Sequence, residues 1–286
     1  MLAGRLPVNF FNVNPFVASA RAMTNNSFST CHALEVEVRR RFAQDFTLQA
    51  NYNLSKALSD FDGDENTLLN EDRITRRNPR YEYGEIAPRQ TFNANWIYEL
   101  PLGPGKRLGA GATGFRRRLL AGWQVGGIVS ARSGRPITIL SGVGTFTRSA
   151  LSDSNTADLS RPMTNGELRE LTGRRSLATG QGTGGVFWID PSLSRTLFVL
   201  PPPGRAGNLP QTPVFGPGRF TTDLNISKRT RLNERANLEF RWEIFNAFNH
   251  VNFNVPETDI LSPSFGQIFR TVTNPRLMQV ALKVNF

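Results

Sequence analysis

Cysteine and histidine are nearly missing: one cysteine, Cys31, and two histidines, His32 and His250, are spread over 286 residues. An internal disulfide is excluded, and zinc ligation of the CxxC or HExxH kind, or a cysteine–histidine nucleophile, has no material to draw on. No stretch reaches the roughly 18 uninterrupted apolar residues that a transmembrane helix needs. Helical spanning is therefore excluded, whereas spanning by strands is not, because their alternation keeps mean hydropathy low. No Gly-x-Ser-x-Gly elbow occurs. The GTGGV stretch at 182–186 precedes no helix bearing Lys and Ser/Thr, so it reads as a flexible turn and not as a phosphate cradle. We expect no enzymatic activity, no cofactor and no metal site.

Charge is not balanced, with 34 Lys and Arg against 23 Asp and Glu, a net +11. Such an excess raises nucleic-acid binding as a class. The basic residues cluster at turns, with no helix-turn-helix, RNP or zinc-finger pattern, so nucleic acid is not an expected partner. Lys106, Arg107, Arg116, Arg117 and Arg118 form one such cluster, whose expected role is to keep a turn solvated, the alternative being contact with anionic head groups if that link is periplasmic. Met1 to Arg5 lacks the regions of a secretory leader, and the expectation is a chain that starts inside a longer protein.

What is present is period-two alternation in runs of about ten residues. Phe46, Leu48, Ala50, Tyr52 and Leu54 share one face, while Thr47, Gln49, Asn51, Asn53 and Ser55 share the other. Leu34, Val36 and Val38 alternate with Glu35, Glu37 and Arg39, and Ala43–Gln44 can turn the chain back. Further runs place Phe92 to Leu100 against Thr91, Asn93, Asn95 and Glu99, and Trp123 to Ala131 against Gln124, Ser130 and Arg132, with Ile128 breaking the polar side. Phe220 to Ile226, Ala236 to Ile244 and Met278 to Phe286 complete seven strands. A first segment, 1–28, is expected to be a loop or partial strand, and 29–286 one strand-rich unit.

Connection lengths differ in kind. Short turns fall near 43–45 and 229–234, with a moderate link at 101–121. Long loops fall near 58–88, 133–218 and 250–274. Compact soluble domains rarely tolerate structureless connections beyond about 15 residues. Outer-membrane barrels place short turns on the periplasmic side and long loops outside. The expected fold is thus all-β, a partial antiparallel transmembrane β-barrel of about seven long strands in the bacterial outer membrane, facing its lipid. Tyr52, Trp96, Tyr98, Trp123 and Trp242 share the apolar faces and suit interfacial girdles.

Several segments carry a resemblance: NYNLSKALSD at 51–60, NWIYELPLGPGKR at 95–107, LLAGWQVGGIVSARSGRPITI at 119–139, LNISKRTRLNERANLEFRWEIFNAFNHVNF at 224–253 and the terminal LMQVALKVNF. Together they resemble the C-terminal barrel region of Oar-like TonB-dependent receptors. The resemblance implies import of a ligand powered through TonB, with a plug, a carboxypeptidase-regulatory-like domain and earlier strands in the full-length protein. It leaves the imported ligand unidentified. Seven strands do not make the roughly 22-stranded cylinder such transporters use, so a fragment inactive alone is expected. The alternatives are a stand-alone structural or adhesive small barrel, with residues 5–25 supplying an eighth strand, and a soluble β-sandwich binding module.

Three groups are candidate sites. Asn51, Asn53, Asn93, Asn95, Glu239, Arg241 and Glu243 are lumen-facing candidates if the apolar faces meet lipid, the last three forming a local charge ladder. Phe286 ends the last strand and resembles the signal read by the barrel-assembly machinery. Asp60, Asp62 and Asp64 fall at EF-hand-like offsets, but Glu65 occupies the position where that loop needs glycine, so a solvated loop is expected and calcium is the weaker alternative.

Overall fold

The computed structural model describes residues 29–41, 45–59, 81–82, 88–144, 156–178, 184–203, 207–209 and 214–286. The turn at 42–44, most of the loop expected at 58–88 and the segment 1–28 lie outside them.

Seven long strands form the main sheet: β1 (Ser29–Arg41), β2 (Phe46–Ser59), β3 (Gln90–Glu99), β4 (Trp123–Arg132), β5 (Arg219–Arg231), β6 (Asn237–Phe245) and β7 (Leu277–Asn285). Each pairs antiparallel with the next in chain order, and a two-residue strand, Tyr81–Glu82, pairs with the end of β2. All seven expected strands are present, because period-two alternation satisfies a sheet with two different faces and no helix can satisfy it.

The register runs without a slip. Arg40, Leu48, Trp96, Gly127, Leu224, Ile244 and Met278 stand side by side across the seven strands. One residue along, Arg41, Thr47, Ile97, Gly126, Asn225, Glu243 and Gln279 form the neighbouring row on the opposite face. A one-residue slip at any pairing would exchange these faces, so the common parity of all seven strands defines one apolar and one polar surface. Ile97, Ile128, Phe245 and Leu277 are large apolar residues set into the polar side, and Arg40, Lys56 and Lys228 are cations on the apolar side. Gly127 lies under Trp96, whose indole a Cβ at that position would meet at 2.9 Å. The glycine thus lets a large aromatic cover the sheet.

Among the described residues no second layer covers the apolar face. Val280 is 66% and Leu282 67% exposed. A soluble β-sandwich buries this face against a second sheet, so that alternative is overturned. The remaining strands form only small sheets of two or three short strands each.

One end of the sheet holds the shorter connections. The β5–β6 turn closes with Leu232 N–H donating to the Ala236 carbonyl at 2.9 Å. The Asn233 side-chain oxygen accepts from the backbone N–H groups of Arg235 and Ala236 at 2.9 and 2.7 Å, a local closure that favours asparagine. The turn lies at 232–236, later than the expected 229–234, because β5 continues to Arg231 and pairs it with Asn237. The link between β3 and β4 carries a short helix, α1 (Gly114–Leu120).

The other end departs most from expectation. The described parts of 133–218 fold together with 250–274 in place of forming open loops. Ile137, Ile139, Ala157, Leu168, Ile189, Leu197, Phe198, Leu209 and Val214 of the first share one buried cluster with Ile260 and Phe265 of the second. Burial of each large side chain contributes about 1.5–3 kcal/mol, enough in sum to order chain that carries little regular structure. The described end of the GTGGV stretch at 182–186, expected to be a flexible turn, belongs to Gly184–Ile189, the central strand of a three-stranded sheet between Thr172–Ala178 and Gln267–Ile268. The apolar VFWI that follows the glycines supplies the reason, since Phe187 and Ile189 are buried in it. A helix, α2 (Asn165–Glu170), starts with a capping box in which Thr164 and Glu167 satisfy each other's backbone N–H groups. This ordered unit is termed the cap.

Candidate functional site

The seven polar wall residues all lie on the polar face, in two groups. Asn51 stands between Glu37 and Asn93, Asn53 between Glu35 and Thr91, and Asn95 between Gln49 and Ile128. The Asn53 amide donates to Glu35 at 3.2 Å and Gln49 donates to Glu37 at 2.8 Å. Ser130 donates to Asn93. The Asn53 Oδ1 is buried with no hydrogen-bond partner. Neutral amides and short carboxylates therefore tile this half of the face through side-chain hydrogen bonds across strands.

The second group carries charge. Along β6, Arg241 donates to Glu239 at 2.7 Å and lies 3.6 Å from Glu243, while Arg229 of β5 lies 3.8 Å from Glu239. Gln279 of β7 donates to Glu243. Acid and base alternate along one strand because residues two apart share a face, and neighbours on both sides extend the ladder. Exposed pairs of this kind contribute under about 1 kcal/mol each. Their chemical consequence is a hydrophilic surface able to bind and release polar groups.

At the cap end, the structure gathers residues that sequence reasoning missed. The buried Asn246 has φ of 49° and donates through its amide to the carbonyls of His250 and Asn274 at 2.9 and 3.1 Å, while its oxygen accepts from His250 N–H at 2.9 Å. Its own N–H donates to Asp223 at 2.8 Å, tying the start of the loop to β5. Asn249, also left-handed at 51°, accepts from Arg276 N–H at 2.9 Å. Asn252 completes a series spaced by three in FNAFNHVNF, the signal that could have identified it. Asparagine suits both needs, tolerating the left-handed region and offering donor and acceptor together. Arg89 and Arg169 both lie against Phe215, at 4.6 and 5.0 Å from the ring centre. Wall end and cap thus meet at one cation–aromatic contact.

Inside the cap, Asp190 accepts from the Ser192 N–H and hydroxyl at 2.9 and 2.7 Å and from Arg175 at 3.0 Å. These hydrogen bonds from Ser192, with the Arg175 charge, hold its carboxyl below the usual carboxylate range. Glu167 is held low in the same sense by its bonds from Thr164.

Asp60, Asp62 and Asp64 lie outside the described residues. Among the described residues no group of three His, Cys, Asp or Glu side chains could hold a metal. Phe286 follows β7 and is fully exposed.

Comparison with known families matches residues 3–279 to the outer membrane beta barrel domain. Comparisons with curated proteins and with solved structures give no match.

Proposed function

The chain belongs to the outer membrane beta barrel domain family and resides in the bacterial outer membrane, and from that premise we propose that it is barrel wall of a TonB-dependent receptor that imports a ligand. In this reading the apolar face meets outer-membrane lipid. The polar face, with Asn51, Asn53, Asn93, Asn95, Glu239, Arg241 and Glu243, lines the passage beside a plug supplied by a longer protein. The cap stands at the extracellular mouth and takes part in ligand capture. Phe286 is the contact for the barrel-assembly machinery. No residue acts as a catalyst.

The observation that supports the reading best is the single parity held through all seven strands, with short connections at one end and an ordered cap at the other. The segments that resemble the receptor family fall on this framework: NYNLSKALS in β2, NWIYE in β3 and the asparagine series at the cap end of β6.

The test is production of the chain with an export signal, followed by gel migration of the outer-membrane fraction with and without heating. An incomplete receptor wall shows no heat-dependent shift alone and gains one when the rest of its receptor is supplied. A shift from this chain alone would replace the receptor reading with a stand-alone barrel.

A further inference from the structure

Beyond transport, and resting only on membership of the barrel family, the geometry points to a phospholipid head-group site at the turn end of the sheet. We infer that α1 lies in the membrane interface, with Phe115 and Leu119 among acyl chains and Arg116 and Arg118 on the phosphates of anionic phospholipids.

The helix is amphipathic in a way that solvation alone does not explain. Phe115 is 78% and Leu119 55% exposed. Four apart, they share one face. At about 100° per residue, Arg116 and Arg118 flank that face on its two sides while Arg117 points away from it. Water accounts for three arginines but not for an uncovered phenylalanine and leucine between them. An interface accounts for both, since apolar side chains enter the acyl boundary while flanking guanidiniums stay at head-group level.

Position supplies the second argument. The Leu119 carbonyl accepts from the Trp123 indole at 2.9 Å and from the Lys228 ammonium at 2.7 Å, and the Ala121 carbonyl accepts from Lys228 at 2.8 Å. Lys228 also lies 4.9 Å from the Trp123 ring centre, and that ring meets Phe240 edge-on at 6.3 Å. Trp123, Lys228 and Phe240 all stand on the apolar face. The C-terminal end of α1 is therefore fastened to the lipid-facing side of the wall, and its exposed apolar residues continue that surface. Short connections of such barrels face the periplasm, where the leaflet is phospholipid.

Charge decides which lipid. Lys106, in the same link, is engaged by Asp45. Among the described residues Arg116, Arg117 and Arg118 have no carboxylate partner. Guanidinium groups match phosphate oxygens in a two-pronged geometry, and clustered arginines at a bilayer surface select anionic lipid.

The test uses the full chain with its single cysteine replaced, Cys31→Ser, and an environment-sensitive fluorophore on Phe115→Cys. It is inserted in phosphatidylcholine vesicles mixed with phosphatidylglycerol. The label should be quenched by brominated lipid and shielded from aqueous iodide. Brominated phosphatidylglycerol should quench about threefold or more better than brominated phosphatidylcholine at equal share. R116Q with R118Q should remove that preference, while R117Q should leave most of it. A label open to iodide, or equal quenching by the two lipids with all arginines present, would overturn the site. Leu119→Cys in isolated outer membranes gives a second reading that does not depend on refolding or on Phe115.

Discussion

The side chain of Asn252 takes the place of a missing strand beside Phe220. Its oxygen accepts from the Phe220 N–H at 2.6 Å and its amide donates to the Phe220 carbonyl at 2.8 Å and to Thr273 at 3.0 Å. On the other side Phe220 is paired with Ala131 of β4, but the β5–β6 ladder ends at Leu224 opposite Ile244. Beyond that point the Thr222 carbonyl accepts from Ala247 N–H at 2.7 Å, and at Phe220 the primary amide of Asn252 satisfies both backbone groups as a peptide group would. Asn252 is 1% exposed, so water cannot substitute. Asn252→Ala should cost about 2–3 kcal/mol, read from denaturant midpoints of the folded chain in detergent. Asn252→Asp should cost at least as much, because it loses the donor and buries a charge. A change below about 0.5 kcal/mol for the alanine variant would remove this role.

Adjacent positions in β7 should behave in opposite ways. Val280 stands on the apolar face beside Trp242, and Gln279 on the polar face beside Glu243. Val280→Arg should cost about 2–4 kcal/mol in a bilayer, with less chain recovered in the outer membrane. Gln279→Arg should change stability by less than about 1 kcal/mol, since it gains a carboxylate neighbour on a wet surface. Equal costs for the two would mean that the faces are assigned wrongly.

Gly266 should be the point at which the cap is most easily broken. Its φ is 79°, and a Cβ there would collide with the Ile189 carbonyl. The same residue accepts from Trp188 N–H and donates to the Glu257 carbonyl, both at 2.8 Å. Gly266→Val should cost about 3 kcal/mol or more through strain and displacement. Limited proteolysis should then cut within 184–203 while β1–β7 stay protected. Protection of both regions would show that the cap tolerates the change.

Cap stability should fall in acid. Asp190 is held below the usual carboxylate range by its bonds from Ser192 and by Arg175. Its contribution is therefore complete above the ordinary aspartate value, about pH 4, and is lost as pH falls through the lower folded value. Asp190→Asn should lower cap stability at neutral pH by about 1 kcal/mol, and should flatten the acid limb of a protease-susceptibility profile. Parallel profiles for the two proteins would place the acid sensitivity elsewhere.

Alternation is local, and what depends on it was legible from the residues in order. The seven strands, the shared face of Asn51, Asn53, Asn93, Asn95, Glu239, Arg241 and Glu243, and the break at Ile128 all follow from period two, which each strand carries without its neighbours. Strand ends were not legible in the same way. β5 runs on into the expected turn as far as Arg231, and Lys228, just before that turn, stands on the apolar face, where alternation does not call for a lysine. It is tolerated because carbonyls at Leu119 and Ala121, about a hundred positions earlier, accept its protons.

The asparagine series was visible as letters but not as function, because the backbone groups that Asn252 completes belong to Phe220, in another strand. The cap was the least legible part. Its core joins Ile139 and Phe198 to Ile260 and Phe265 across strands of two to seven residues, too short to display any period. The sequence by itself determined a wall with one apolar and one polar face, since that needs only each residue's polarity and its neighbours along the chain. Only the tertiary structure decided that the described parts of the long connections close into a cap and that the C-terminal end of α1 is fastened to the apolar face, since both rest on contacts between residues far apart in the chain, where burial and hydrogen bonding, not periodicity, choose the partners.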